Sequence, residues 1–401
     1  MWKILSSLFF FACGLVARAT DDGLDRLGDA LTFANPDKTL RGKASGTFDL
    51  EIYQLAQPNP FLIFTDRHSL INPRLTMFFD GRWGPQFYGF VQARADQGFD
   101  PNADTPHFRW DEYALRFSAG HERSLVLEAG KFATVLGNWI PRHGSWENPF
   151  IGAPLPYENV TAISGGTAPA TSAEFVPPSA GEKYEYSPVI WGPSYATGAS
   201  VSGALGQFDY AFEVKNAGPS SAPERWTISY QDFSNPSYTA RMAFRPDMRW
   251  CFGLSASDSG YFEPSAASTL PPGRSVRSYR QRLVAQDASF AWHQLQLWAE
   301  LFECSFDVPR LGKARTWAGY FEAKYKLTPQ LHTAIRLNRQ EFTTMKSGAT
   351  TWHWGDNTWR FDFATGYRFT PHTRLKLELS FARRDQLPDQ VNAAAQFTIR
   401  F

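Results

Sequence analysis

The feature that most limits what this chain can fold into is a strict two-residue alternation that runs to its last residue. From Val391 to Phe401, the side chains Val391, Ala393, Ala395, Phe397, Ile399 and Phe401 alternate with Asn392, Ala394, Gln396, Thr398 and Arg400. Leu375, Leu377, Leu379 and Phe381 alternate with Lys376, Glu378, Ser380 and Ala382, and Trp359 to Phe369 repeats the pattern. A period of two sends successive side chains to opposite faces of a strand, whereas an amphipathic helix needs apolar spacings of three and four. Alternation alone also suits a soluble sandwich. Here, however, the runs are about 10 to 13 residues long, against about 5 to 6 in soluble sheets, and this is the length that a tilted strand needs to cross hydrocarbon. One face carries full charges and the other carries rings at its ends, as expected for lumen and lipid faces. Only a closed sheet leaves no backbone N–H or C=O unpaired in lipid.

Composition agrees with this reading. Aromatics make up 16% of the 401 residues, yet the hydrophobic fraction is only 43%, and beyond the first 20 residues no apolar run approaches a membrane helix. A net charge of +1 gives no basic surface for a nucleic acid. Met1-Trp2-Lys3, the apolar stretch Ile4–Val16 and Ala17-Arg18-Ala19 fit a secretory signal peptide cleaved after Ala19. Residues 20–42 then form an acidic periplasmic leader, and 43–401 form the barrel. Cys251 and Cys304 are expected to stay unpaired.

Turn chemistry predicts short connections at 83–85, 119–122, 205–207, 246–248, 286–288, 328–330 and 370–372. Longer ones are predicted at 56–71, 97–106, 135–194, 217–236, 258–277, 304–314, 344–356 and 385–390. The fifteen connections give sixteen antiparallel strands with both termini on one side; a further hairpin around 225–234 would make eighteen. The 135–194 connection stands far outside ordinary loop lengths. Strand parity puts a base-rich wall inside the C-terminal half: Arg241, Arg245, Arg280, Arg282, Lys324, Lys326, Arg336, Arg360, Arg368 and Lys376. Such a wall predicts a mild preference for anions.

The signal sequence, the strand count, the outsized third outer loop and the ending Phe397, Ile399, Phe401 together resemble the bacterial outer-membrane porins. The resemblance spans roughly residues 43–401. It implies an all-β, up-and-down transmembrane barrel in the bacterial outer membrane, surrounded by outer-membrane lipid and lipopolysaccharide. The terminal strand would be read by the barrel-assembly machinery, and a homotrimer is implied, with Ala199 and Gly203 at a subunit contact. The resemblance further implies that the third loop folds into the lumen and sets acidic groups against arginines; Arg142, His143, Glu147, Glu158 and Glu174 are then the constriction candidates. Function follows as passive diffusion of small solutes. The alternative is a sheath for a partner protein, in export or electron transfer, docked through the acidic leader. A hydrolase is disfavoured, because the eight histidines are scattered and no Gly-x-Ser-x-Gly or His-Glu-x-x-His occurs. No metal-ligand spacing or cofactor motif is present.

Overall fold

The structure is a computed structural model that describes residues 21–57, 62–63, 67–97, 107–119, 124–177, 185–222, 233–347, 350–385 and 387–401. Sixteen strands form the barrel. They are β1 (Leu40–Gln54), β2 (Ser69–Trp83), β3 (Phe87–Asp96), β4 (His107–Ala119), β5 (Leu125–Phe132) and β6 (Ala196–Leu205). There follow β7 (Phe208–Lys215), β8 (Ser237–Phe244), β9 (Trp250–Gly260), β10 (Arg280–Trp292), β11 (Leu295–Val308) and β12 (Gly312–Lys326). The last are β13 (Leu331–Phe342), β14 (Thr358–Arg368), β15 (Thr373–Arg384) and β16 (Leu387–Arg400). Each pairs antiparallel with its neighbours in sequence, and β1 pairs β16 from Thr47↔Arg400 to Gln54↔Ala393, closing the ring. The segment 223–232, which holds most of the possible extra hairpin, lies outside the described residues.

The outward set is apolar: Phe79, Leu115, Phe212, Leu254, Leu301, Phe321, Leu337, Phe363 and Leu379 are all exposed. Rings gather towards the strand ends, with Trp83, Trp250, Trp292, Tyr325 and Tyr367 near the short-turn rim and Trp110, Trp317 and Trp359 near the other. That is the girdle arrangement of a barrel standing in a bilayer. The short-turn rim, periplasmic in barrels of this class, carries both termini. There a ten-residue helix, α1 (Asp21–Ala30), precedes a short strand, Thr32–Ala34, that pairs with β1 just where β16 runs out. Asp25 accepts from His372 at 2.9 Å, tying the leader to a periplasmic turn.

Three connections depart from the sequence expectation. β10 runs unbroken through 286–288, and its turn is His293-Gln294, with His293 at φ 50°. The sequence shows no glycine there, so the turn is hidden. The expected long loops at 304–314 and 385–390 are also tight: β11 and β12 extend to a turn at 309–311, with Arg310 at φ 64°, and β16 starts at Leu387. In β4 a bulge shifts the register between Gln92↔Glu112 and Ala93↔Trp110. The extra residue brings Asp111 to the inner face beside Glu112, while Trp110 stays half-exposed outside.

Candidate functional site: a clamped loop and the passage it leaves

The loop between β5 and β6 leaves at Phe132 and returns at Ala196, residues that pair directly, so the whole of 133–195 is an excursion from one point of the wall. Its apolar side chains Leu136, Trp139, Ile140, Tyr157, Ile163, Phe175 and Val189 pack with Leu283, Phe302, Phe306, Tyr320, Phe342 and Trp354. The C-terminal half of the lumen is therefore a packed core rather than water.

Polar groups on that wall hold the loop's backbone. Glu300 accepts from the amide N–H groups of Asn138 and Trp139 and, at 2.7 Å, from the Tyr157 hydroxyl. Arg142 donates to Glu322 at 2.5 Å and to the Tyr320 hydroxyl at 3.0 Å, with its guanidinium 4.3 Å from the Trp298 ring. Lys376 donates to three loop carbonyls: Ser145 at 2.9 Å, Asn148 at 3.1 Å and Phe150 at 2.8 Å. Arg336 donates to the Gly152 carbonyl at 3.1 Å and to Asp362 at 2.9 Å. Arg360 donates to the Ala153 carbonyl at 2.5 Å, to Glu158 and to Asp362. Glu378 accepts from the amides of Ile151 and Gly152. Glu158 lies in the short helix α2 (Leu155–Glu158). Burial pushes its carboxyl up to about 7 against the pull of Arg360.

These contacts correct the parity reading of the basic wall. Arg336, Arg360 and Lys376 face inward but are fully buried, and their charge is spent on loop carbonyls and carboxylates. Arg280 and Arg282 point outward, because β10 carries Leu283, Ala285 and Asp287 inside and Val284 outside. They bond Asp258, and Arg282 also reaches Asp307 at 3.1 Å. Arg241 is inside, on Asp287 at 2.7 Å. Arg245, Lys326 and Arg368 are exposed at the periplasmic rim, with Lys324 half-buried above them.

The constriction candidates also separate. Glu174 is exposed and accepts from the Ala170 amide at 2.9 Å, away from the clamp. Glu147 is exposed, and the electrostatics of Arg374 and Arg400 pull on it. His143 lies against the passage, its Nε2 2.8 Å from the Tyr195 hydroxyl and its Nδ1 2.6 Å from the Ile140 carbonyl. Burial lowers its pKa to about 4. Among the described acids of the loop, Glu158 borders the passage but is paired with Arg360, and Glu147 acts on Arg374 and Arg400.

That wall, β1 to β4, bounds a cavity of about 200 Å³. Arg74 contacts Asp49 at 3.3 Å and Glu51 at 2.6 Å; Arg94 contacts Asp111 at 2.8 Å; Arg109 contacts Asp96 at 2.7 Å and Asp111 at 3.0 Å. The acids are 1 to 6% exposed and the arginines 15 to 21%, so carboxylates sit in the wall and guanidinium edges face the space. Across it stand Trp139, His143, Ile151, Trp191 and Tyr195. Parity places Arg74 and Arg94 here without marking them as a site. Arg109 and Asp111 could be found only by recognising the bulge, and the aromatic face only by seeing the loop folded.

No family model matches the chain, and no curated protein matches it. Solved structures do. OmpF of Salmonella typhi, in complex with daunomycin, aligns with a TM-score of 0.57 at 12% identity, over 92% of this chain and all of that one. The anion-selective porin from Comamonas acidovorans aligns at 0.56 and 10%, over 90% of this chain and all of that one. The fold is that of the outer-membrane porins. The outer-membrane channel DcaP of Acinetobacter baumannii gives 0.58 at 10% identity, over 92% and 99% of the two chains. This porin-fold chain lines the space between its third outer loop and β1–β4 with arginines on one side and rings on the other.

Proposed function

We propose that the chain is an outer-membrane porin that lets small hydrophilic solutes diffuse, anions ahead of cations. The observation that carries this reading is the placement of Arg74, Arg94 and Arg109, whose guanidinium edges are the most accessible charges beside the cavity while their counter-ions lie behind them. Low-dielectric walls strengthen the field of such groups on a passing ion. The periplasmic mouth adds Arg245, Lys324, Lys326, Arg368 and Arg400. A sheath for a partner protein fits less well, because the loop and its core occupy the lumen that a partner would need. The outward pairs of Arg282 with Asp258 and Asp307, and of Arg339 with Glu341, suit the charged headgroup layer of outer-membrane lipid and lipopolysaccharide. Small outward residues Ala199 and Gly203 suit a homotrimer contact, and the Phe401 ending suits the barrel-assembly machinery.

The test is reversal potential under a salt gradient in planar bilayers. Anion preference should fall when Lys324 and Lys326 are both changed to Gln. It should not move for Arg280→Gln with Arg282→Gln, which lie outside the barrel. Cation preference in the unmodified protein would refute the reading.

A further inference from the structure

The cavity between the loop and β1–β4 has two unlike halves. On the barrel side are hydrogen-bond donors with spare capacity. Arg94 brings its Nε to 2.8 Å from an Asp111 oxygen without completing a hydrogen bond, and no hydrogen bond from its terminal nitrogens occurs among the described residues. Arg74 spends Nε and one terminal nitrogen on Asp49 and Glu51, leaving the other. A pair of guanidinium edges with free N–H groups is the geometry that takes a carboxylate in a fork. On the loop side are flat and apolar surfaces: the Trp139 and Tyr195 rings with Ile151, and Ile63 from the first outer loop. The Trp139 ring packs 4.5 Å from Tyr157 and is held there by the clamp on Glu300. Its Nε1–H is buried and has no acceptor among the described residues, an expensive state unless something fills it.

Volume sets the scale of the occupant. About 200 Å³ is available, and a cavity of about 150 Å³ is enough for one benzene ring. A bare inorganic anion uses only the arginine half and leaves apolar surface wet. A cation meets the guanidinium edges first. We infer that this cavity is a binding site for small organic anions with one flat apolar body, aryl carboxylates in kind, held with the carboxylate on Arg94 and Arg74 and the ring against Trp139 and Tyr195. Such a solute gains on both sides at once, and the neutral His143 adds no competing charge. The site deepens the porin reading and rests on it for its role in transport, though the binding itself does not need conduction.

The experiment therefore measures binding and passage separately. Detergent-purified full-length protein is titrated with benzoate, with acetate (charge without ring) and with benzyl alcohol (ring without charge), followed by tryptophan fluorescence and calorimetry. Benzoate should bind at least tenfold more tightly than either control. Arg94→Gln should cut benzoate affinity about tenfold or more and leave benzyl alcohol unchanged; heat-modified gel mobility checks that the variant barrel is closed. Equal affinities for benzoate and acetate in the unmodified protein overturn the proposal, with no variant needed. In bilayers, benzoate should reduce chloride current in a concentration-dependent way. Chloride current that ignores benzoate, with no benzoate binding in solution, overturns the site and leaves the porin. Bound benzoate with silent bilayers upholds the site and overturns the porin.

Discussion

Lys376→Met tests whether the basic wall is a clamp. The methionine keeps the length and apolar stem of lysine and removes the ammonium that three carbonyls accept from, at 2.8 to 3.1 Å. Each stranded buried acceptor costs about 1 to 3 kcal/mol. Taking the low end for all three gives ~3 kcal/mol against the docked loop, or about a hundredfold shift towards release. Part of that is offset because a buried ammonium no longer has to be desolvated. The predicted phenotype is larger and noisier single-channel conductance, with trypsin now cutting after Arg142, which is otherwise held on Glu322 and Tyr320. The far-ultraviolet strand signal should not change, since the barrel ladder is untouched. Unchanged conductance with unchanged protease resistance, or a tighter loop, would refute the clamp and make Lys376 a passive filler.

Two groups of the same loop set opposite pH dependences on its docking. His143 titrates at about 4 in place against an ordinary 6.5, so the released loop takes the proton first. The His143 contribution is full above pH 6.5, falls between 6.5 and about 4, and loses roughly 3 kcal/mol in all, whereas Glu158, raised to about 7, favours docking as the pH falls from 7 towards its ordinary 4.5; His143→Gln should therefore leave tryptic release slower in acid than at neutral pH over that window. Tyr157→Phe removes the hydroxyl that donates to Glu300 and should weaken docking by about 1 to 2 kcal/mol, read as faster cleavage at neutral pH. Deleting Phe401 removes the backbone exchange with Gly46, at 3.0 and 3.1 Å, and should lower the yield of heat-modifiable barrel in outer membranes. An unchanged yield would separate the terminal ring from assembly.

Strand count was legible because it rests on a pattern that tertiary context cannot override, the period of two in lipid. Side-chain face was legible only where the turns announced themselves. At 280–292 an acidic residue in mid-strand mimics a turn, while the real one uses His293 at positive φ, and the misplacement sends Arg280 and Arg282 to the wrong face. Asp111 was hidden by one inserted residue, since parity reading assumes an unbroken ladder. The role of Arg336, Arg360 and Lys376 was illegible in principle. Each donates to a backbone carbonyl of the loop, which every residue offers, so no sequence pattern marks that contact.

The packed interior has a consequence for how the chain gets built. The loop meets its clamps across gaps of 143 to 231 residues, from Tyr157 to Glu300 and from Ser145 to Lys376. Contacts this far apart in sequence form only after the chain between them has been laid into the sheet, so the interior is completed late whatever order the strands pair in. Until β10 to β13 stand opposite it, the segment carrying Trp139, Tyr157 and Phe175 has no partner for its rings and is the stretch that assembly leaves exposed longest.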